Sequence, residues 1–248
     1  MLMASASILE QNYPEAKFGG FSSVDGTVAF YTRVRSLLPA TGIVCDLGCG
    51  RGAAAEDPVA FRRDLRDLRG PSRTVIGLDV DPAARSNPLV DQFIQYDGLS
   101  VPMRDGFADI VVSDFVVEHL PDPSAYFDEA ARVLKPSGYL CIRTPNLMSY
   151  FGLAARLLPA RFRSGALRRG QPRREAQDIY PAEYLCNTRR TLSRYLESAG
   201  FCATVVGHEA EPAYFGFSRL LYSFMVTVHR LTPRAFVTNL FAFAERIE

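Results

Sequence analysis

A chain of 248 residues suffices for one large domain, or for a core with an appendage. Apolar residues make up 48% and charged residues 22%, which excludes a disordered tail, a collagen-like fibre and a disulfide-stapled miniprotein. Lys plus Arg number 28 against 27 Asp plus Glu, a formal net charge of +1, so no global field selects nucleic acid as a partner.

The first 18 residues, MLMASASILEQNYPEAKF, show neither the basic region nor the apolar run of a secretory signal. No apolar stretch approaches the ~20 residues needed to span a bilayer. The cysteines at 45, 49, 141, 186 and 202 form no CxxC pair and sit mostly in apolar runs. Free, buried thiols in a reducing, cytoplasmic compartment are the expectation.

Between residues 43 and 145 short β-type runs alternate with helical patterns. The runs are Ile43–Leu47, Thr74–Leu78, Gln92–Gln95, Ile110–Val112 and Tyr139–Arg143, each with the length of a buried parallel strand. Helices are predicted over 27–38, 58–69 and 123–134. Asp57-Pro58 reads as the cap and first residue of the second, with Gly70 just past its end; Pro123 opens the third. This alternation predicts a doubly wound α/β sheet. Residues 147–174 hold seven arginines and no Asp or Glu, and 147–185 reads as an insertion or lid, too short and basic to hold a core. A helix is predicted over 188–200, β-type runs over 201–207 and 236–243, and an apolar, aromatic-rich segment over 214–231. The whole is taken as one domain, with an N-terminal lid and first helix at 1–40, a core at 41–146, the insertion, and the last helices and strands at 186–248.

The most informative stretch is Val44-Cys45-Asp46-Leu47-Gly48-Cys49-Gly50-Arg51-Gly52, a strand running into a glycine-dense turn. Such a turn lets backbone approach a ligand closely. Gly48, Gly50 and Ala53 can be set onto a dinucleotide fingerprint, so a nicotinamide-dependent oxidoreductase or epimerase is one reading. Asp46 opposes it, because a carboxylate there would face a pyrophosphate. The same carboxylate suits an ammonium or a sulfonium, and S-adenosylmethionine carries both. Asp79 follows the second run, placed to accept from ribose hydroxyls, and Asp97 follows the third, placed to accept from an adenine amino group. Each alone reads equally well as a turn cap.

The strings DLGCGRG, GLDVDP, QYDG, DIVVSDFVVEHLPDP and ARVLKPSGYLCIRTPN, in this order, resemble the class I S-adenosylmethionine-dependent methyltransferases of the type-11 family. The resemblance covers about residues 20–146 and continues loosely through 187–201. It implies a Rossmann-like, mostly parallel seven-stranded sheet with the last strand antiparallel. It implies that Asp46, Gly48 and Gly50 hold the methionine part, Asp79 the ribose, Val80 one flank of the adenine and Asp97 its amino group. Gly98 would be a backbone neighbour, and Ser113 would lie where backbone passes under the methionine; packing and turn roles stay open for Val80 and Ser113.

Three histidines are available for proton transfer. His119 follows the fourth run and ranks first, with loop orientation as the rival role; His208 ranks second, and His229 reads as a satisfied core or surface residue. Glu118-His119 resembles a stretch of ubiquinone-pathway O-methyltransferases, but Phe115 stands where those carry a further Glu, so no metal is expected. Tyr13, Phe18 and Tyr31 are candidate lid residues, with helix packing as the alternative for Tyr31. The arginines of 147–174 read as a solvated face, as cations for an anionic acceptor, or as a patch on anionic lipid headgroups. The expected reaction is methyl transfer, to oxygen before nitrogen or carbon, on a small molecule or a saccharide or lipid-linked intermediate. A cofactor-binding partner protein without turnover is the remaining alternative.

Overall fold

The computed structural model describes residues 8–150, 152–153 and 182–247. Most of the arginine-rich segment, and with it the expected insertion, lies outside the described residues.

Short runs rich in β-branched residues build one seven-stranded sheet in the order β3-β2-β1-β4-β5-β7-β6. The strands are β1 (Gly42–Leu47), β2 (Arg73–Asp79), β3 (Gln92–Gln95), β4 (Ala108–Asp114), β5 (Leu134–Pro145), β6 (Phe201–His208) and β7 (Asn239–Arg246). β1 to β5 pair in parallel, and β7 is antiparallel to both β5 and β6. The expected seven strands and their sense are therefore present. The last strand starts three residues later than the predicted 236–243, since Pro233 to Thr238 make the turn that enters it.

Among the described residues the helices α1 (Gly26–Leu37), α2 (Ala60–Arg66), α3 (Pro123–Val133), α4 (Arg189–Ser198) and α5 (Arg219–Leu231) accompany the sheet. Their caps follow from the sequence. Asp25 accepts from the amides of Thr27 and Val28 to open α1, Asp122 from Ala125 to open α3, and Thr188 and Thr191 form a reciprocal pair at the head of α4.

The second helix departs from expectation. It begins at Ala60 with Val59 at the cap and ends at Arg66, well before Gly70. Asp57 does not cap it: one carboxylate oxygen accepts from the Val59 amide and both take the guanidinium of Arg62. Gly70 instead bridges Arg73 at the entry to β2.

Alternation along each strand splits the core into two layers. Cys45, Leu47, Val111, Leu140 and Ile142 face α3 and α4, while Val44, Val75, Ile110, Val112 and Cys141 face α1 and α2. A third cluster seats Ile8, Tyr13 and Ala16 against Tyr222 and Val226 of α5. Tyr13, expected in a lid, is thus an anchor, and Phe18 stands exposed beside it. All five cysteines are free thiols; four are buried or half-buried, and Cys202 is exposed.

Candidate active site

In an open parallel sheet ligands bind beyond the carboxyl ends of the strands. β1 reaches that edge at Asp46 and turns immediately: Gly48 has φ +79° and Gly50 φ +57°, backbone that side chains rarely adopt. A Cβ on Gly48 would collide with Val116, whereas a Cβ on Gly50 would meet nothing within 4 Å. The turn is packed beneath and open above.

Neighbouring strand ends hold it in place. The Gly48 and Cys49 amides donate to the Leu78 carbonyl at 2.7 and 3.2 Å. Asp79 Oδ2 accepts from the Gly50 amide at 2.8 Å and its Oδ1 from the Asp81 amide at 2.9 Å. Asn87, which the sequence reading did not single out, donates to the carbonyls of Cys49 and Gly50. Val80 lies 44% exposed beside this turn, and a Cβ on Gly98 would sit 3.2 Å from Val80 Cγ1. Asp46, Gly48, Gly50, Asp79, Val80 and Gly98 therefore share one rim.

Asp97 and Ser113 stand differently. Asp97 is exposed and its Oδ1 accepts from the amides of Leu99 and Ser100, which stabilises the ionised carboxyl and lowers its pKa. Ser113 is fully buried, and its hydroxyl accepts from Tyr126 of α3 at 2.8 Å.

Charge is unevenly matched along the rim. Arg143, almost fully buried, grips Asp114 with two hydrogen bonds of 2.6 Å, and Tyr31 donates to the same carboxylate at 3.0 Å. Burial raises the Asp114 pKa, but Arg143, Arg66 and the Tyr31 hydroxyl outweigh it and bring the carboxyl below its ordinary range. Tyr31, on the buried face of α1, thereby packs in the core beside Asp114, as the helix-packing alternative has it, and is not a lid. Among the described residues Asp46 has no ion-pair partner. Burial first, then the carboxylates of Asp114 and Asp79, push its pKa up to about 7, with Arg66 the one opposing charge. Arg66 itself carries a buried Nε without a hydrogen bond and lies 3.9 Å from Asp114. Neither arginine was legible as a site residue, because Arg143 meets Asp114 only through the β4–β5 register and Arg66 comes from α2.

The histidines separate clearly. His119 ends the turn Val117–His119 after β4, its Nε2 3.9 Å from Oε1 of Glu118. Glu118 is buried and accepts from the Thr144 hydroxyl at 2.9 Å. His208 ends β6, donates Nε2–H to the Val24 carbonyl at 3.0 Å and stacks on Phe241 at 4.8 Å. Burial lowers its pKa, so it serves the structure as a neutral strut. His229 is buried, with both ring nitrogens engaged by Tyr150 and Ala210, as a satisfied core histidine should be. Among the described residues no group of three or more His, Cys, Asp or Glu is arranged to hold a metal. Among the same residues no helix is long and apolar enough to cross a membrane.

The strand order, the antiparallel β7 and a glycine turn backed by strand-end carboxylates define a Rossmann-like fold of the class I methyltransferase type. Residues 45–142 match the family model described as a methyltransferase domain. Over that segment the chain is similar to S-adenosylmethionine-dependent methyltransferases. A probable S-adenosylmethionine-dependent methyltransferase of Mycolicibacterium smegmatis is 35% identical over 113 residues, 43% of this chain and 39% of that protein. A ubiquinone biosynthesis O-methyltransferase of Cereibacter sphaeroides is 30% identical over 120 residues, 44% of either chain. The match thus spans less than half the length of either relative. Among solved structures, the geranyl diphosphate C-methyltransferase of Streptomyces coelicolor, with Mg2+, geranyl diphosphate and S-adenosyl-L-homocysteine bound, has a TM-score of 0.54. It is 17% identical, with 88% of this chain and 78% of that one covered, a likeness of fold.

Proposed function

We propose that the chain transfers a methyl group from S-adenosylmethionine to an oxygen of a small-molecule, saccharide or lipid-linked acceptor. The observation that carries this reading is Asp46, a carboxylate at the glycine turn with a pKa of about 7 and no cation of its own. A half-buried acid without a counter-charge favours a ligand that brings one. An ammonium meets that demand, and the guanidinium of Arg66 beside it matches the carboxylate of the same amino acid. A pyrophosphate would add negative charge to Asp46, Asp79 and Asp114, which disfavours the dinucleotide alternative.

S-adenosylmethionine supplies an electrophilic methyl and a neutral thioether leaving group. The residues that would hold it are Asp46, Gly48 and Gly50 for the amino-acid part, Asp79 for the ribose hydroxyls, and Val80, Asp97 and Gly98 around the adenine. The Ser113 backbone at the end of β4 would floor the methionine, its hydroxyl being taken by Tyr126. The chain's own work is to orient these parts and exclude water. His119 would take the proton from the acceptor hydroxyl at a ring nitrogen, with buried Glu118 next to it.

Calorimetric titration with S-adenosylhomocysteine and, separately, with NAD tests the reading. Binding of the first and none of the second is expected; the reverse result overturns it. Transfer of labelled methyl into a fractionated cell extract then distinguishes turnover from binding alone.

A further inference from the structure

The connection between β6 and β7 is far longer than their pairing requires. His208 ends β6 directly opposite Asn239, which begins β7, and a turn of ~2–5 residues suffices to join two antiparallel neighbours. Residues 209–238 instead leave the sheet and carry α5 before returning. Pro145 at the end of β5 also pairs with Asn239, so this excursion departs from and rejoins the carboxyl rim, the edge that bears the glycine turn.

α5 is apolar on two opposite faces. Tyr222, Met225, Val226 and His229 are buried, and Tyr222 and Val226 receive the N-terminal segment. Leu220, Phe224 and Leu231, spaced so that they share the outward face, are 87%, 63% and 77% exposed. Phe217, just ahead of the Ser218 cap, is 67% exposed. A surface helix ordinarily turns charged and polar residues outward. Large apolar side chains grouped in solvent mark an interaction surface, because burial would release the water that covers them.

Charge selects the kind of surface. From Pro212 to Ala244 the chain carries Arg219, Arg230 and Arg234 and no Asp or Glu. Arg219 and Arg230 are exposed and, about three helical turns apart, lie along one edge of the outward face. Glu15, Glu209 and Glu211 are grouped with the buried His229 and Tyr222, on the other side of the helix. A second copy of the chain is a poor match, since two-fold pairing of α5 with itself sets arginine against arginine. An anionic bilayer meets both features: its interfacial zone takes Phe and Leu, and its headgroups take the guanidinium groups.

We propose that the outward face of α5 docks the chain on an anionic phospholipid surface. Phe217, Leu220, Phe224 and Leu231 enter the interface, and Arg219 and Arg230 meet the headgroups. None of these residues belongs to the cofactor rim, so the proposal goes beyond the methyl-transfer reading. Because the excursion leaves and rejoins the sheet at the carboxyl rim, docking holds that rim beside the membrane surface.

The chain contains no tryptophan, so Phe224→Trp places a single reporter on the face. Ile247→Trp, just past the end of β7 at the opposite edge of the sheet, is the control. The full chain is titrated with vesicles of mixed phosphatidylcholine and phosphatidylglycerol, and with vesicles of phosphatidylcholine alone. On mixed vesicles the Phe224→Trp emission is expected to move to shorter wavelength and to be quenched by brominated acyl chains, while the Ile247→Trp emission stays as in water. Affinity should be at least about tenfold higher for the mixed vesicles and should fall as salt is added. Leu220→Ser combined with Phe224→Ser should abolish sedimentation with vesicles and leave the melting temperature unchanged. Absent or equal binding to the two vesicle types overturns the proposal, as does the same spectral change at Ile247→Trp or sedimentation that survives in the double variant. A Phe224→Trp emission already blue-shifted without vesicles assigns the face to a second copy or to another part of the chain, and overturns it too. S-adenosylhomocysteine binding, measured separately, reads the methyltransferase assignment independently of docking.

Discussion

Asp46 offers the sharpest test of the rim, because its pKa of about 7 couples cofactor binding to protons. In the free chain it is mostly protonated below that value. An ammonium docked on it would restore the ordinary carboxylate pKa, ~4, so binding expels a proton in the window between. At about pH 5 roughly 1% of the free carboxyl is ionised, and affinity for S-adenosylhomocysteine should be ~100-fold below that at about pH 8. Near pH 6 about 0.9 proton should leave per ligand bound, measured by calorimetry in two buffers of different ionisation enthalpy. Stability follows the same linkage with a definite sign. Between about 4 and 7 the native state without ligand binds one more proton at Asp46 than the unfolded chain does. Its stability should therefore fall as pH rises through that window, and saturating ligand should remove the fall. Asp46→Asn should eliminate both the affinity slope and the proton release. A wild-type affinity that is flat over this range, with no proton exchanged, would refute the claim that Asp46 meets the cationic end of the cofactor.

Other positions give independent checks. Asp79→Ala should weaken S-adenosylhomocysteine binding by ~1–3 kcal/mol through lost charged hydrogen bonds; unchanged affinity by calorimetry would remove Asp79 from the site. Gly50→Ala should cost ~1–2 kcal/mol for its left-handed backbone alone, and Gly48→Ala more, since its methyl also meets Val116; urea denaturation of the two variants reads the order. Arg143→Met leaves Asp114 unpaired and should lower stability by ~3–5 kcal/mol in the same assay. A loss below about 1 kcal/mol would show that the pair does not hold the rim together. His119→Gln should reduce turnover ~10²–10⁴-fold once an acceptor is in hand, with cofactor affinity unchanged; a mere shift in acceptor KM would make it an orienting residue.

What was legible in the sequence is what local chemistry determines. Parallel strands announce themselves as short apolar runs, and Pro123 opens α3 as expected, with Asp122 the side-chain acceptor before it. The same rule failed at Asp57, where Arg62 one turn on competes for the carboxylate and the helix starts two residues later. For Tyr31 the packing alternative holds and the lid role does not. Its aromatic ring looks like lid material in one dimension, but its hydroxyl finds Asp114, 83 residues away, only when β4 is laid beside β1.

The electrostatic core of the site was the least legible part, and the reason is physical. Asp46 and Asp79 could be read as acids near strand ends and Asp114 joins them only in the fold, yet a carboxylate's behaviour depends on which cations the fold delivers to it. Arg143 arrives on β5 and Arg66 on α2; the first neutralises Asp114 and the second leaves Asp46 largely unmatched. Three chemically equal residues thereby become different groups: one a structural anion, one a brace for the glycine turn, one an acid awaiting a cation. At Asp46 the fold positions a negative group and withholds an ion-pair partner, and the molecule best suited to complete such a surface is one that brings positive charge to it.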